Sequence, residues 1–171
     1  LDKFPLEDIT VGDAGEINSC KVGRLMEDKK FPTLLNDNLS IEVLRIIFQD
    51  KVKRFIERNF EFKESNDSLI VRRCQFNLLG KDSFVGKHLD TDSNPNYELA
   101  VIFQLGSDFE GGHFKVFNDD DTIFYDNKPE YCSISFSNCA YKHSVEPVLS
   151  GLRTSLVMFV SKYNGKNLRK I

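Results

Sequence analysis

The chain has 171 residues, of which 40% are apolar and 29% charged, and its formal net charge is -3 at pH 7. This length and composition favour one globular domain with a real core. The slightly acidic balance excludes a strong overall electrostatic footprint for nucleic acid or an anionic membrane. No apolar run approaches the roughly 18–20 residues that span a bilayer. No signal-peptide pattern opens the chain, but it begins at Leu1 rather than Met, so processing of the N-terminus stays open.

The four cysteines are scattered along the chain and include no CxxC pair: Cys20, Cys74, Cys132 and Cys139. At this chain length and cysteine density a disulfide framework is not expected. Cys74 and Cys132 lie in strand-like segments, where a cysteine usually behaves as a small buried hydrophobe. We therefore predict reduced thiols and a cytoplasmic location.

The first 66 residues are predicted to form a helical support region. A short strand-like stretch covers residues 15–22. Ser40 is the predicted N-cap of a helix that continues to about Asn59, because Glu42 lies in its first turn and apolar residues recur at helical spacing from Ile41 to Ile56. This helix is amphipathic, so one of its faces should pack on something flat.

After residue 67 the pattern changes to short strands separated by Gly, Asn, Asp and Pro turns. Strands are predicted at residues 68–79, 97–105, 113–117, 131–136 and 154–163. Many short strands after helices predict a mainly β fold with supporting N-terminal helices, that is, a double-stranded β-helix or jelly roll. We predict a single domain covering 1–171, with residues 67–165 as the jelly-roll core. The acidic run at 118–121 fits a solvated turn better than a calcium loop, since it lacks the Gly and the distal Glu of such loops.

His88 and Asp90 are two residues apart, and in a strand residues i and i+2 project from the same face. His143 heads another strand-like stretch and can reach the same point from a neighbouring strand. Two histidines and one carboxylate are the ligand set of non-haem iron(II) oxygenases, which leave positions on the metal open. A hydrogen-bonded His–carboxylate pair without a metal is the simpler alternative. Arg153 and Ser155, again two apart, form a guanidinium and hydroxyl pair suited to a carboxylate.

The stretch from about residue 70 to 161 resembles the iron(II)- and 2-oxoglutarate-dependent oxygenases, in their prolyl-4-hydroxylase-like branch. That branch carries an HxD motif, here His88-Leu89-Asp90, and then a strand that ends in a Gly-Gly turn, here Gly111-Gly112. An H-x-V-x-P-V-x-x-G-x-R run follows, here His143 to Arg153. The first 65 residues match only in general style.

The resemblance implies a catalytic iron site formed by His88, Asp90 and His143. It also implies that Arg153 binds the distal carboxylate of 2-oxoglutarate, with Ser155 as a second contact. Family members commonly place a Tyr shortly before a Gly on the strand leading to HxD. This chain has Asn77 there, so either Asn77 substitutes for the Tyr or the contact comes from elsewhere.

The implied function is that of a dioxygenase that hydroxylates an unactivated C–H bond of an amino acid, a small metabolite or a peptidyl residue. Succinate and CO2 would be released, with Fe(2+), 2-oxoglutarate and O2 as cofactor and co-substrates and ascorbate in a supporting role. Asp90 favours hydroxylation, because halogenating relatives have a small residue there. The alternatives are a peptidyl-prolyl 4-hydroxylase that acts on a protein, and a catalytically degenerate β-sandwich binding module. The expected partner is a small-molecule or peptidyl substrate, without nucleic acid or membrane.

The substrate itself is not specified by these motifs. Arg72 and Arg73 alternate on the strand before HxD, so one of them should point inward, either to hold a substrate carboxylate or to pair with an acid. Loops at residues 91–96 and 118–130, together with the N-terminal region, are expected to contribute to specificity, as loops on rigid scaffolds commonly do. His113 follows the Gly-Gly turn, and we interpret it as structural or supporting rather than as a fourth metal ligand.

Overall fold

The computed structural model describes residues 3–61 and 68–169, apart from the side chain of Asp37. Antiparallel strands dominate these residues, as predicted, and three helices accompany them. The strands are β1 (Glu7–Val11), β2 (Ile17–Asp28), β3 (Pro32–Leu34), β4 (Ile70–Leu79), β5 (Val85–His88), β6 (Leu99–Gln104), β7 (Phe109–Gly111), β8 (Phe114–Phe117), β9 (Ile123–Asn127), β10 (Ile134–Asn138), β11 (His143–Val145), β12 (Val148–Gly151) and β13 (Arg153–Ser161). The helices are α1 (Asp37–Ile47), α2 (Asp50–Asn59) and α3 (Asp90–Ser93).

Most of the strands belong to one long sheet in the order β10-β6-β13-β4-β2-β5-β11-β8-β9, with β1 and β3 also paired to β2. β7 and β12 form a separate two-stranded ribbon. The two halves of the long sheet join where Asn18 of β2 pairs with Val85 of β5. Side chains from β4 and β13 in one half and from β5 and β11 in the other line the same cavity. The sheet is therefore curled over on itself, with the cavity between its halves.

The centre of the larger half is the antiparallel pair of β4 and β13, in which Ser155 lies opposite Asn77 and Leu156 lies opposite Phe76. Because successive side chains of a strand point to opposite faces, polar and apolar positions separate here. Asn77 and Ser155 face the cavity, whereas Phe76 and Leu156 belong to the main hydrophobic core. One face of these strands thus builds the core and the other builds a site.

The helices cover the core face of the sheet, as predicted, but the single helix predicted over residues 40–59 is two helices. Phe48 ends α1 with φ −120° and ψ 46°, and Gln49 is extended at ψ 159° before α2 begins. This break lets both helices turn apolar residues toward the sheet, and Ile56 of α2 is fully buried there. The Ser40 prediction is also wrong in detail. Ser40 lies inside α1 with its hydroxyl donating to the Leu35 carbonyl, and Asn36 is the N-cap.

The described part of the predicted helical support region contains three strands, β1 to β3, as well as the helices α1 and α2. Residues 15–22 were expected to hold one short strand, whereas β2 runs for 12 residues and pairs with β1, β3, β4 and β5. The polar residues of β2 that face the cavity, such as Asn18, hide its apolar alternation in the sequence. The N-terminal segment is therefore part of the curled sheet as well as its support.

Four predicted strands of the C-terminal part occur with ends shifted by a few residues, at β4, β6, β8 and β13. The strand predicted at residues 131–136 starts later, at Ile134, because Cys132 adopts a positive φ of 59° in the preceding turn. Cys132 is consequently exposed rather than buried, while the other three cysteines are buried, and all four are free thiols. The helices in the described ranges fall short of the length and apolar character that a membrane crossing needs.

Candidate active site

Register between two neighbouring strands brings the three predicted ligands together. β5 and β11 are antiparallel, and His88 and His143 are direct Cα partners across them. Asp90 starts α3 rather than continuing β5, but Leu89 between them is extended at φ −109° and ψ 130°. Asp90 therefore stays on the His88 side, as the strand argument requires. Asp90 Oδ1 lies 3.3 Å from His88 Nε2 and 3.6 Å from His143 Nε2.

The outer ring nitrogens of both histidines are tied to the backbone. His88 Nδ1 lies 2.8 Å from the Gly86 carbonyl oxygen, and His143 Nδ1 lies 3.0 Å from that of Tyr141. A carbonyl can only accept, so each Nδ1 carries a proton and donates it. Each Nε2 then faces Asp90 and can offer its lone pair to a metal ion when the ring is neutral. This is the arrangement in which metal-binding histidines are usually held.

The cluster is buried, with Asp90 4% and His143 7% exposed. Burial by itself disfavours the Asp90 carboxylate, but His143 and His88 outweigh that effect and lower the Asp90 pKa. Asp90 Oδ2 accepts no hydrogen bond from the residues that the structure describes. The donor atoms of the three side chains all lie within 4.8 Å of one another. Such a set of converging lone pairs and one negative charge fits a divalent metal ion.

A second polar group occupies the same cavity, on β13. The Arg153 guanidinium is 3% exposed, and within the described ranges its Nε has no hydrogen-bond partner and no ion pair includes it. Burial lowers the pKa of Arg153 to about 10. Ser155 is 1% exposed, and its hydroxyl likewise finds no partner among the described residues. A buried cation without a countercharge is unfavourable, so this end of the cavity fits an anion.

The Gly-Gly turn of Gly111 and Gly112 packs against the aliphatic stem of Arg153. Gly111 and Gly112 have φ values of 73° and 63°, which side chains other than glycine rarely adopt. A Cβ atom on Gly112 would stand 2.9 Å from Arg153 Cδ and 3.1 Å from Val148 Cγ2. The turn thus leaves the space that the Arg153 stem occupies.

Asn77 lies directly opposite Ser155 in the strand register and lines the cavity. Its Oδ1 accepts a hydrogen bond from Gln75 Nε2 at 2.7 Å. This bond uses the carbonyl side of the Asn77 amide and leaves its N–H donors for another partner. The structure therefore brings Asn77, Ser155 and Arg153, the three residues predicted to bind a co-substrate, to one wall.

Of the two arginines considered for substrate binding, only Arg73 lines the cavity. Arg72 is fully buried in a bidentate ion pair with Asp28, with Nε–Oδ2 at 2.7 Å and Nη2–Oδ1 at 3.0 Å. Its remaining donors bind the carbonyls of Tyr163 and Gly165. A substrate role for Arg72 is thus corrected to a structural one, since its hydrogen-bonding groups are already engaged.

Arg73 is held from two sides at the cavity. It donates to Gln75 Oε1 at 2.9 Å and forms an ion pair with Asp13. His113 lies elsewhere: its Nδ1 is 2.7 Å from Asp126 Oδ1, and 43% of its side chain is exposed. It is absent from the cluster of His88, Asp90 and His143, the metal-ligand group found in the described part of the chain.

The N-terminal region, which was expected to contribute to specificity, does line the cavity, but the sequence did not identify which of its residues do so. The turn between β1 and β2 brings Asp13 and Glu16 to its wall, and β2 adds Asn18, Cys20 and Arg24. With its solvent-filled mouth the cavity has an empty volume of about 910 Å³. The only signal in the sequence was the Gly12 to Gly15 spacing of a tight turn. That signal predicts a hairpin but does not reveal which surface it covers.

Comparisons with known proteins agree with this geometry. Residues 74–161 match the family model of the 2OG-Fe(II) oxygenase superfamily. A solved oxidoreductase of the 2OG-Fe(II) oxygenase family from Burkholderia pseudomallei is 37% identical, with a TM-score of 0.87, and the match covers 99% of this chain and 78% of that one. A search of curated protein sequences finds no match.

Two more distant structures share the fold. A Pseudomonas putida prolyl-4-hydroxylase is 17% identical at a TM-score of 0.61, covering 86% of this chain and 74% of that one. A viral collagen prolyl hydroxylase from Paramecium Bursaria Chlorella virus-1, solved with 2OG, is 13% identical at a TM-score of 0.59, covering 94% and 96%. The jelly-roll prediction and the suspected resemblance are confirmed, and the chain belongs to the 2OG-Fe(II) oxygenase superfamily.

Proposed function

We propose that the chain hydroxylates an unactivated C–H bond of an amino acid, a small metabolite or a peptidyl residue. The observation that carries the proposal is one cavity with three converging metal-ligand atoms and an unpaired buried guanidinium. Family membership supplies the cofactor and co-substrates, iron(II), 2-oxoglutarate and O2. When bound, iron(II) and 2-oxoglutarate supply the oxidising chemistry, in which 2-oxoglutarate becomes succinate and CO2 and one oxygen atom enters the substrate.

In this proposal His88, Asp90 and His143 hold the iron. Their backbone-tethered Nδ1 atoms fix both rings before the metal binds, so little reorganisation is needed. Asp90 supplies a negative charge that a halogenating site would lack, which favours hydroxylation.

Arg153 is proposed to bind the distal carboxylate of 2-oxoglutarate through its planar guanidinium. A bidentate pair with a carboxylate would satisfy the Nε that the described residues leave without a partner. The Ser155 hydroxyl donates to the same carboxylate, and Asn77 takes the place of the Tyr common in the family. Because these groups are buried on strands, they orient the co-substrate and keep water away from its charged end.

The substrate is proposed to bind where Arg73 and the turn between β1 and β2 complete the cavity wall. A prolyl residue of a protein is the second candidate. A prolyl hydroxylase from Trichoplax adhaerens in complex with a hypoxia inducible factor peptide fragment shares the fold at a TM-score of 0.60, which brings this candidate into consideration. Its 13% identity supports the shared fold alone. The ion pair between Asp13 and Arg73 ties the turn of the hairpin to β4 at the cavity wall, which favours a small substrate over a long peptide.

The test is a panel of amino acids, small metabolites and proline-containing peptides scored by succinate release with iron(II), ascorbate and 2-oxoglutarate. We expect at least one compound to raise succinate release above the substrate-free rate, and His143→Ala to abolish it. His113→Ala is the matched control, because it removes an exposed imidazole outside the cluster. Full 2-oxoglutarate-dependent activity in His143→Ala would overturn the assignment, and a lack of iron-dependent 2-oxoglutarate consumption would favour a degenerate module.

A further inference from the structure

Two buried acceptor oxygens on the cavity wall lack a donor. Glu16 Oε2 and Asn18 Oδ1 have no hydrogen-bond partner among residues 3–61 and 68–169. Asn18 is only 8% exposed, so bulk solvent does not satisfy its amide. Asn18 Nδ2 donates to Glu16 Oε1 at 3.1 Å. This bond fixes the orientation of the Asn18 amide, so that Asn18 Oδ1 points away from Glu16 Oε1. Both unpartnered atoms are therefore acceptors, and one belongs to a carboxylate.

The pair lies beside the strand that carries His88. Asn18 pairs with Val85 of β5, and a Cβ placed on Gly86 would be 3.6 Å from Glu16 Cβ. Glu16 and Asn18 line the cavity that also contains the cluster of His88, Asp90 and His143. A group bound at the pair would therefore share the cavity with the proposed reaction centre.

Glu16 differs from the other acids of the hairpin. Glu7 forms an ion pair with Arg24, and Asp13 forms one with Arg73. In the described part of the chain no ion pair includes Glu16. Its carboxylate is instead packed against Gly12, where a Cβ atom would collide with it, and the Gly12 N–H binds the Glu16 carbonyl at 2.9 Å. The turn thus holds the Glu16 carboxylate at the cavity wall without an ion-pair partner among the described residues.

Buried acceptors without donors are unfavourable, and a carboxylate more so than an amide. A group that donates hydrogen bonds to both oxygens and carries a positive charge would complete this site. A primary ammonium meets both conditions, with three N–H donors and one charge. Resting on the proposed function, we propose that Glu16 and Asn18 form a subsite for a primary ammonium group of the substrate.

Equilibrium binding tests this subsite without turnover. The full chain, loaded with Mn(II) and 2-oxoglutarate without oxygen, is titrated with n-butylamine, n-butanol and butyrate and followed by protein NMR shifts. We expect n-butylamine to bind at least tenfold tighter than n-butanol, and Glu16→Gln to weaken n-butylamine binding at least tenfold while leaving n-butanol binding unchanged. Asp8→Asn is the matched control, since it removes an exposed acid of the same hairpin and should change n-butylamine affinity less than twofold.

Equal n-butylamine affinity in the wild type and in Glu16→Gln would overturn the subsite. The subsite is also overturned if the wild type binds n-butylamine no more tightly than n-butanol, which means that water alone fills the site. If Glu16→Gln does not fold, the wild-type preference between n-butylamine and n-butanol still decides. A failure of the proposed function is distinguishable from a failure of the subsite. The proposed function is tested by iron-dependent succinate release, whereas this titration measures binding without turnover. If a substrate carrying an amine is found, Glu16→Gln should raise its KM and largely preserve kcat.

Discussion

Arg153→Met distinguishes the destabilising effect of the buried Arg153 charge from its contribution to 2-oxoglutarate binding. Burial lowers the Arg153 pKa well below its usual value, to about 10, a difference that corresponds to about 3 kcal/mol at ~1.36 kcal/mol per pH unit. The folded-state pKa is the lower one, so this penalty is fully present below pH 10 and is relieved only as the pH rises above 10 toward the pKa of the unfolded state. At neutral pH, without 2-oxoglutarate, the wild-type protein therefore holds an uncompensated charge that Met would remove.

We expect Arg153→Met to raise the Tm of the protein without 2-oxoglutarate by about 6–12 °C, because removal of a penalty of about 3 kcal/mol shifts Tm by ~2–4 °C per kcal/mol in a chain of this size. The same variant should lose the Tm increase that 2-oxoglutarate and Mn(II) give the wild type. Its 2-oxoglutarate affinity should fall on the order of 100-fold, as expected when one partner of a buried charged pair is removed. Differential scanning calorimetry with and without 2-oxoglutarate measures both changes in Tm. A variant whose Tm lies far below that of the wild type and yet rises as much on addition of 2-oxoglutarate would refute the reasoning.

Asp28→Asn should lower the free energy of unfolding by about 3–5 kcal/mol, because it leaves the buried Arg72 charge without its partner; chemical denaturation measures this, and an unchanged midpoint would contradict it. Gly112→Ala should weaken 2-oxoglutarate binding at least tenfold, since its Cβ would displace the Arg153 stem; calorimetric titration checks this, and wild-type affinity would show that the stem is free to move. At pH 8 iodoacetamide should label Cys132 in the native protein and spare the three buried cysteines; mass spectrometry of the labelled chain counts the modified thiols, and rapid labelling of a second cysteine would contradict the burial.

The cluster of His88, Asp90 and His143 could be predicted from the sequence because it depends on residues that are close along one strand or on neighbouring strands. The HxD spacing places His88 and Asp90 on one side, and this held even though Asp90 begins a helix, since Leu89 remains extended. His143 and Arg153 follow from the resemblance together with strand pairing. Where the site depends on i, i+2 periodicity and one pair of neighbouring strands, the sequence is informative.

The N-terminal region was expected to contribute to specificity, but the hairpin residues that line the cavity were not predicted, because their positions depend on long-range pairing. Alternation told us that one of Arg72 and Arg73 faces inward, but not which, since the answer depends on where β2 pairs with β4. Asn18 reads as a polar break in a weak strand, although it is buried beside β5. Polar residues that serve a cavity erase the apolar pattern from which a strand is predicted.

The central claim is that His88, Asp90 and His143 hold one iron(II) ion, and anaerobic metal titration tests it most directly. Isothermal titration calorimetry with iron(II) should give one ion per chain for the wild type and for His113→Ala, whose imidazole is paired with Asp126 outside the cluster. His143→Ala should bind iron(II) at least ~100-fold more weakly, because a ligand of the metal is lost rather than one of its supporting hydrogen bonds. Wild-type stoichiometry and affinity in His143→Ala would contradict the claim.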